Sequence, residues 1–179
     1  MTATDARTSG SSGPVAAGDV DLRVERRGEG PDVLLIAGLS DPAEAWEAQL
    51  RGLSDRYRLT AFDNRGAGRS PHIPEGFTVA DTADDAAQLL RALGSRSTHV
   101  AGFSGGSAIA QELAIRHPHA VRSLVLAGGV DIATPARYGR IPGARFELLP
   151  EEAHQPFQER ANEFNALVDG FWSKVDGRA

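Results

Sequence analysis

Gly102-Phe103-Ser104-Gly105-Gly106 decides the reading of this chain, because a serine between glycines falls where a strand-like run turns directly into a helix-like one. Thr98-His99-Val100-Ala101 before it reads as a short buried strand, and Ser107 to Ile115 after it repeats apolar residues at helical spacing. This is the pattern of a nucleophile elbow. The glycines have steric reasons to be there. The serine backbone must be strained for its hydroxyl to point out of the turn, and side chains at the flanking positions would block the close strand-to-helix approach. An ordinary Gly/Ser turn is the plain alternative, and the strand before and helix after argue against it.

Outward from the elbow, strand-like and helix-like segments alternate, which predicts an α/β fold: a mostly parallel, doubly wound sheet with helices on both faces. Val20 to Arg26 alternates in period two and suits an edge strand, followed by a turn around Gly28-Glu29-Gly30. Asp32 to Ala37, continuously apolar from Val33 on, is as expected of a strand buried on both faces. Ala43 to Leu53 predicts a helix, Tyr57 to Phe62 a strand, and Thr78 to Leu93 an amphipathic helix with Thr78 as N-cap and Asp81 three residues on. Val121 to Ala127 and Ala144 to Leu149 read as further strands, and Phe157 to Trp172 as a closing helix. Residues 1–18 are rich in Ser, Gly, Ala and Thr without apolar periodicity and predict a disordered tail, leaving residues 19–179 as a single domain.

Composition narrows the function classes. A chain of 179 residues is one domain by length, and with no cysteine it has no disulfide framework and no thiolate metal site. Its five histidines are scattered, so neither a metal nor a cofactor is expected. His117 and His119 flank Pro118 in a helix-ending turn and read as surface residues. The net charge of −5, with no basic run, points away from nucleic acid and anionic membranes. No apolar stretch has the length of a membrane span, and the first residues lack the apolar core of a signal peptide. The expectation is a cytoplasmic protein with a small-molecule substrate.

A serine hydroxyl is a weak nucleophile, so it needs a base for its proton and donors for the oxyanion that forms. One donor is the Gly105 N–H at the start of a helix, where amides are unsatisfied and the dipole favours negative charge. The second is placed in the Ala37-Gly38-Leu39-Ser40-Asp41 loop, at Leu39. His154 is the base: it lies between the strand predicted at Arg145–Leu149 and the final helix, at the end of the sheet where open α/β folds bind ligands. His99, inside the elbow strand, reads as a structural histidine, and nothing positions His72. Trp46 and Phe103 are candidates for lining an apolar substrate site, with core packing as the competing account.

Three segments in order resemble the α/β-hydrolase superfamily: the elbow, the Ala37-Gly38-Leu39 loop with the following Asp63-Asn64-Arg65-Gly66-Ala67-Gly68-Arg69-Ser70 (the family's D-x-R-G-x-G-x-S), and Ile141–Arg145 leading to Glu152-Ala153-His154-Gln155-Pro156-Phe157. Gly66-Ala67-Gly68 lacks the third glycine of a dinucleotide site. The resemblance implies a serine hydrolase acting on a small ester, thioester or lactone. Ser104 would attack the carbonyl, His154 would take and return the proton, and Leu39 and Gly105 would hold the oxyanion. A degenerate binding module and a non-hydrolytic enzyme of elimination or cyclisation type stand as alternatives.

Two departures from the family pattern matter. Ala37-Gly38 replaces its usual His-Gly, and only Gly128 to Gly143 stands where relatives carry a lid, a further βα unit and the triad acid. Asp131, just beyond the strand next to the elbow strand, is the best acid. Glu151 and Glu152 are ranked lower, because they are too near His154 in sequence to reach its far side. Asp63 is expected to hold its own loop through Arg65. The short connection could leave a sheet slot empty, and exposed strand edges would then favour a homodimer.

Overall fold

The computed structural model describes residues 10–72, 76–128 and 155–178. Strands β1 (Gly10–Ala17), β2 (Val20–Arg27), β3 (Asp32–Ile36), β4 (Arg58–Phe62), β5 (Thr98–Phe103) and β6 (Val121–Ala127) form one sheet in the order β1-β2-β4-β3-β5-β6. β3, β4, β5 and β6 pair in parallel, and β1 and β2 extend the sheet in antiparallel fashion beyond β4. The helices are α1 (Glu47–Gly52), entered through a 3-10 turn at Ala43–Trp46, α2 (Val79–Ala92), α3 (Gly105–Arg116), α4 (Pro156–Glu159) and α5 (Ala161–Val175).

The alternation along β3 explains the two layers. Val33 and Leu35 point to one face, where Trp46, Leu50 and Leu53 meet Phe157, Phe164, Val168 and Trp172. Leu34 and Ile36 point to the other, against Ala83, Ala86, Leu89 and Leu90 of α2 and Ile109, Ala110 and Leu113 of α3. The helix that follows β3 and the helix that follows β5 therefore lie on opposite faces of the sheet. Between the carboxyl ends of those two adjacent strands lies the crevice where open α/β sheets bind ligands. The Thr78 cap behaves as its sequence predicts: its Oγ1 accepts from the Asp81 N–H at 3.2 Å, and the Asp81 carboxylate accepts from the Thr78 N–H at 2.7 Å.

The expected tail is corrected over Gly10–Ala17, which is a strand paired along its length with β2, from Gly10↔Arg27 to Ala17↔Val20. Composition hides it, because only one face of an edge strand is packed. Ala17 is fully buried and Gly13 and Val15 partly so, while the alternating Ser12, Pro14 and Ala16 face solvent. Gly18, at φ 73°, turns the hairpin with Asp19. It follows that β1, rather than the strand starting at Val20, forms this edge of the sheet. The closing helix is also broken into α4 and α5 at Arg160, where φ −126° and ψ 47° leave the helical region. The strand expected at Ala144–Leu149 and the connection beyond Gly128 lie outside the described residues.

Candidate active site

Ser104 sits at φ 50°, ψ −120°, the only non-glycine residue with positive φ among the described residues. Such a conformation costs about 1–3 kcal/mol and persists where the surroundings over-determine it. Here they do. The Ser104 N–H donates to the Ala127 carbonyl at 3.1 Å, its carbonyl accepts from the Ser107 N–H at 2.9 Å, and the Ser107 hydroxyl bonds the carbonyls of Gly102 and Ala127 at 2.9 and 3.1 Å. Among the described residues the Ser104 hydroxyl itself makes no hydrogen bond.

The flanking glycines are required by contact. A Cβ on Gly102 would lie 2.8 Å from the Gly106 carbonyl carbon and 2.9 Å from the Ala110 Cβ. One on Gly106 would lie 2.5 Å from the Ala37 carbonyl oxygen. Gly105 faces the other loop, and a Cβ there would meet the Leu39 Cγ at 2.5 Å and the Leu39 backbone N at 3.1 Å. The two residues expected to donate to an oxyanion are thus side by side, one at the end of β3 and one at the start of α3. The Leu39 side chain is 59% exposed and lies against Gly105.

Trp46 and Phe103 are corrected from substrate-lining to core residues. Both are essentially buried, with the Phe157 ring 4.4 Å from Trp46 and 4.6 Å from Phe103. An apolar side chain near a candidate site can face inward as readily as outward: Phe103 is turned into the α1/α5 layer by the pleat of β5, and Trp46 enters it from the 3-10 turn before α1. His154 and Asp131 lie outside the described residues. Phe157, three residues after His154, is anchored at the elbow through the Phe103 ring. Its carbonyl accepts from the Gln49 Nε2 at 2.7 Å, and the same nitrogen donates to the Asn165 Oδ1 at 3.0 Å. Sequence reasoning missed Gln49. A polar residue among apolar ones on the inward face of a short helix was the available signal.

His99 is a structural residue, as its strand position predicts. Its ring is fully buried and stacked on Trp172 at 5.6 Å, with Nδ1 2.7 Å from the Ser123 Oγ and Nε2 3.1 Å from the Asp176 Oδ1. The carboxylate accepts only, so Nε2 carries the proton and Nδ1 accepts from the serine. Burial holds the imidazole below its ordinary pKa, opposed by Asp176. His117, at the end of α3, bonds Asp84 at 2.6 Å, and His72 is exposed. Asp63 does hold its own loop, but not through Arg65. Arg65 turns to Asp85 at 2.5 Å, while Asp63 takes the Arg69 N–H at 2.7 Å. Among the described residues no cluster of histidine and carboxylate side chains could hold a metal ion, and no helix is long and apolar enough to cross a membrane.

The family model described as alpha/beta hydrolase fold matches residues 31–167. The chain belongs to the α/β-hydrolase fold family. A curated relative in this family, from Azorhizobium caulinodans and named "Putative carbamate hydrolase RutD", is 38% identical over 112 residues, 63% of this chain and 42% of the relative. Another of the same name, from Agrobacterium fabrum, is 32% identical over 130 residues, 72% of this chain and 49% of the relative. The chain therefore spans less than half the length of these α/β-hydrolases. Among solved structures, a thermophilic esterase from Thermogutta terrifontis shares the fold with a TM-score of 0.81 at 17% identity, the match covering 92% of this chain and 99% of that one. E-2-(acetamidomethylene)succinate hydrolase matches at 32% identity with a TM-score of 0.65, over 70% of this chain and 46% of that one.

Proposed function

We propose that this α/β-hydrolase is a serine hydrolase cleaving a small carboxylic ester, thioester or lactone through an acyl-enzyme on Ser104. The relatives that carry the name "Putative carbamate hydrolase RutD" extend the candidate substrates to carbamates, whose carbonyl presents the same target. The observation that carries the reading is the strained Ser104 with the Leu39 and Gly105 backbones beside it. Ser104 Oγ attacks the carbonyl carbon as His154 takes its proton. The Leu39 and Gly105 N–H groups receive the oxyanion, and the proton returns to the leaving group; water then reverses the sequence. Phe157 supports the assignment of His154, because three residues of chain reach at most about 11 Å from a segment already packed on Phe103. Asp131 is assigned the acid: it follows β6, whose last residue, Ala127, bonds the Ser104 N–H.

A fluorophosphonate probe tests the nucleophile. It is expected to label Ser104 and to leave Ser104→Ala unmodified. Folded protein that stays unlabelled while a serine esterase control reacts would sink the reading. Asp131→Asn is expected to lower turnover by up to about four orders of magnitude, because that carboxylate fixes the imidazole tautomer. An unchanged rate would remove Asp131 from the site.

A further inference from the structure

The loop that carries Leu39 has little structure of its own. Between Ile36, the last residue of β3, and Ala43 its internal backbone bond runs from the Asp41 N–H to the Gly38 carbonyl at 3.2 Å. Its two ends are held from outside, by two consecutive residues that follow β4. Asn64 Nδ2 donates to the Ala37 carbonyl at 3.3 Å, and Asp63 Oδ1 accepts from the Ala43 N–H at 2.7 Å. Asp63 is fully buried and Asn64 is 2% exposed. Burying a carboxylate is costly unless it is well bonded, and Asp63 is: its second oxygen accepts from the Arg69 N–H at 2.7 Å and from Nε at 3.3 Å, while Arg69 pairs with Glu44 at 2.6 Å. Gly68 must lack a side chain for this, since a Cβ there would fall 2.6 Å from the Asp63 carboxyl carbon.

We propose that Asp63 and Asn64 are positioning residues for catalysis, gripping both ends of the loop at Ala37 and Ala43 so that the Leu39 N–H stays aimed beside Gly105. The inference rests on Ser104 acting as the nucleophile. It gives the Asp63–Ser70 segment a second task beyond holding its own loop. The register explains how: Ile36 pairs with Phe62, so the residues just past each strand end are neighbours, and the β4 exit braces the β3 exit. A hole for an oxyanion works only if its donors are fixed before charge develops, and a displacement of about 1 Å can cost roughly 100-fold in rate.

The experiment uses the full chain and the fluorophosphonate probe, with hydrolysis of p-nitrophenyl butyrate as a second readout. Asn64→Leu, which keeps the branched heavy-atom shape and removes the donor, is expected to slow labelling of Ser104 and kcat by about 10- to 100-fold with KM unchanged within about twofold. Coupling separates aiming from mere structural support. Gly105→Ala pushes on the same Leu39 N–H, so adding Asn64→Leu to it should slow labelling no more than about threefold further. Reductions that multiply in full overturn the inference, as does an unchanged rate in Asn64→Leu beside normal labelling of the unsubstituted chain. Should Asn64→Leu not fold, Asn64→Asp, isosteric and lacking the donor, takes its place with the same expected outcomes. An unsubstituted chain that does not label overturns the nucleophile reading, and this inference with it.

Discussion

Gly105→Ala separates folding from reactivity at a single methyl group. The added Cβ would meet the Leu39 Cγ at 2.5 Å and the Leu39 backbone N at 3.1 Å. The first neighbour belongs to a side chain that is 59% exposed and can swing into solvent. The second is backbone and has to retreat by a few tenths of an ångström. Replacing glycine by alanine where the backbone conformation allows it stabilises by about 0.4–1 kcal/mol through the unfolded chain, enough to balance so small a shift. The urea midpoint is therefore expected to stay near that of the parent. Labelling at Ser104 should not, because the methyl sits on a donor whose complete removal would cost about 2.7–4 kcal/mol, or 100- to 1000-fold. A loss of about 10- to 100-fold is expected for a donor displaced rather than removed. Gly106→Ala is the contrasting control: its Cβ would fall 2.5 Å from the Ala37 carbonyl oxygen, backbone with nowhere to go, and overpacking of that kind costs about 1–3 kcal/mol or more. Equal denaturation midpoints for the two variants, or full labelling speed in Gly105→Ala, would refute the steric reasoning.

Further outcomes follow from other parts of the molecule. Ser104→Gly is expected to raise stability by about 1 kcal/mol, measured by urea denaturation, while abolishing labelling, because glycine adopts a positive φ without strain. Stability should fall as pH drops below about 6.5: folded His99, its pKa depressed by burial, stays neutral where the unfolded imidazole binds a proton, so the loss develops between the unfolded value and the lower folded one. The slope should reach no more than about 1.4 kcal/mol per pH unit, and His99→Gln should flatten it; a profile flat from pH 8 to 5 in the parent would contradict the assignment. Removing residues 1–17 should lower the denaturation midpoint and promote association at the bared edge of β2, and in the full chain alternate amides of Gly10–Ala17 should resist hydrogen exchange.

The parallel sheet was legible because its signals are local. Val33–Ile36 is apolar throughout, the Thr78/Asp81 pair announces its own helix, and the glycines around Ser104 mark a strand-to-helix contact too close for side chains. β1 was illegible for the converse reason: a strand held by backbone pairing to β2, with few apolar side chains, leaves almost no trace in composition. Trp46 and Phe103 show a second limit, since hydrophobicity marks an apolar environment but does not distinguish core from binding surface. The Asp63 and Asn64 grip and the Gln49 bond to Phe157 connect residues distant in sequence, and no periodicity encodes such pairs. The elbow named the nucleophile candidate and the loop that faces it; the residues that grip that loop had to be seen in place.

The chain has two tryptophans, Trp46 and Trp172, and both are buried on the same side of the sheet, in the layer made by α1, α4 and α5. The layer formed by α2 and α3 contains neither. Intrinsic fluorescence is consequently a one-sided observer: excited at the indole band, this protein reports the docking of its C-terminal helices and is nearly blind to the other face. Far-ultraviolet circular dichroism weighs both faces. Superimposable denaturation curves from the two signals would show the layers melting as one unit, whereas an earlier fluorescence transition would mean that α5 peels from the sheet while α2 and α3 remain in place.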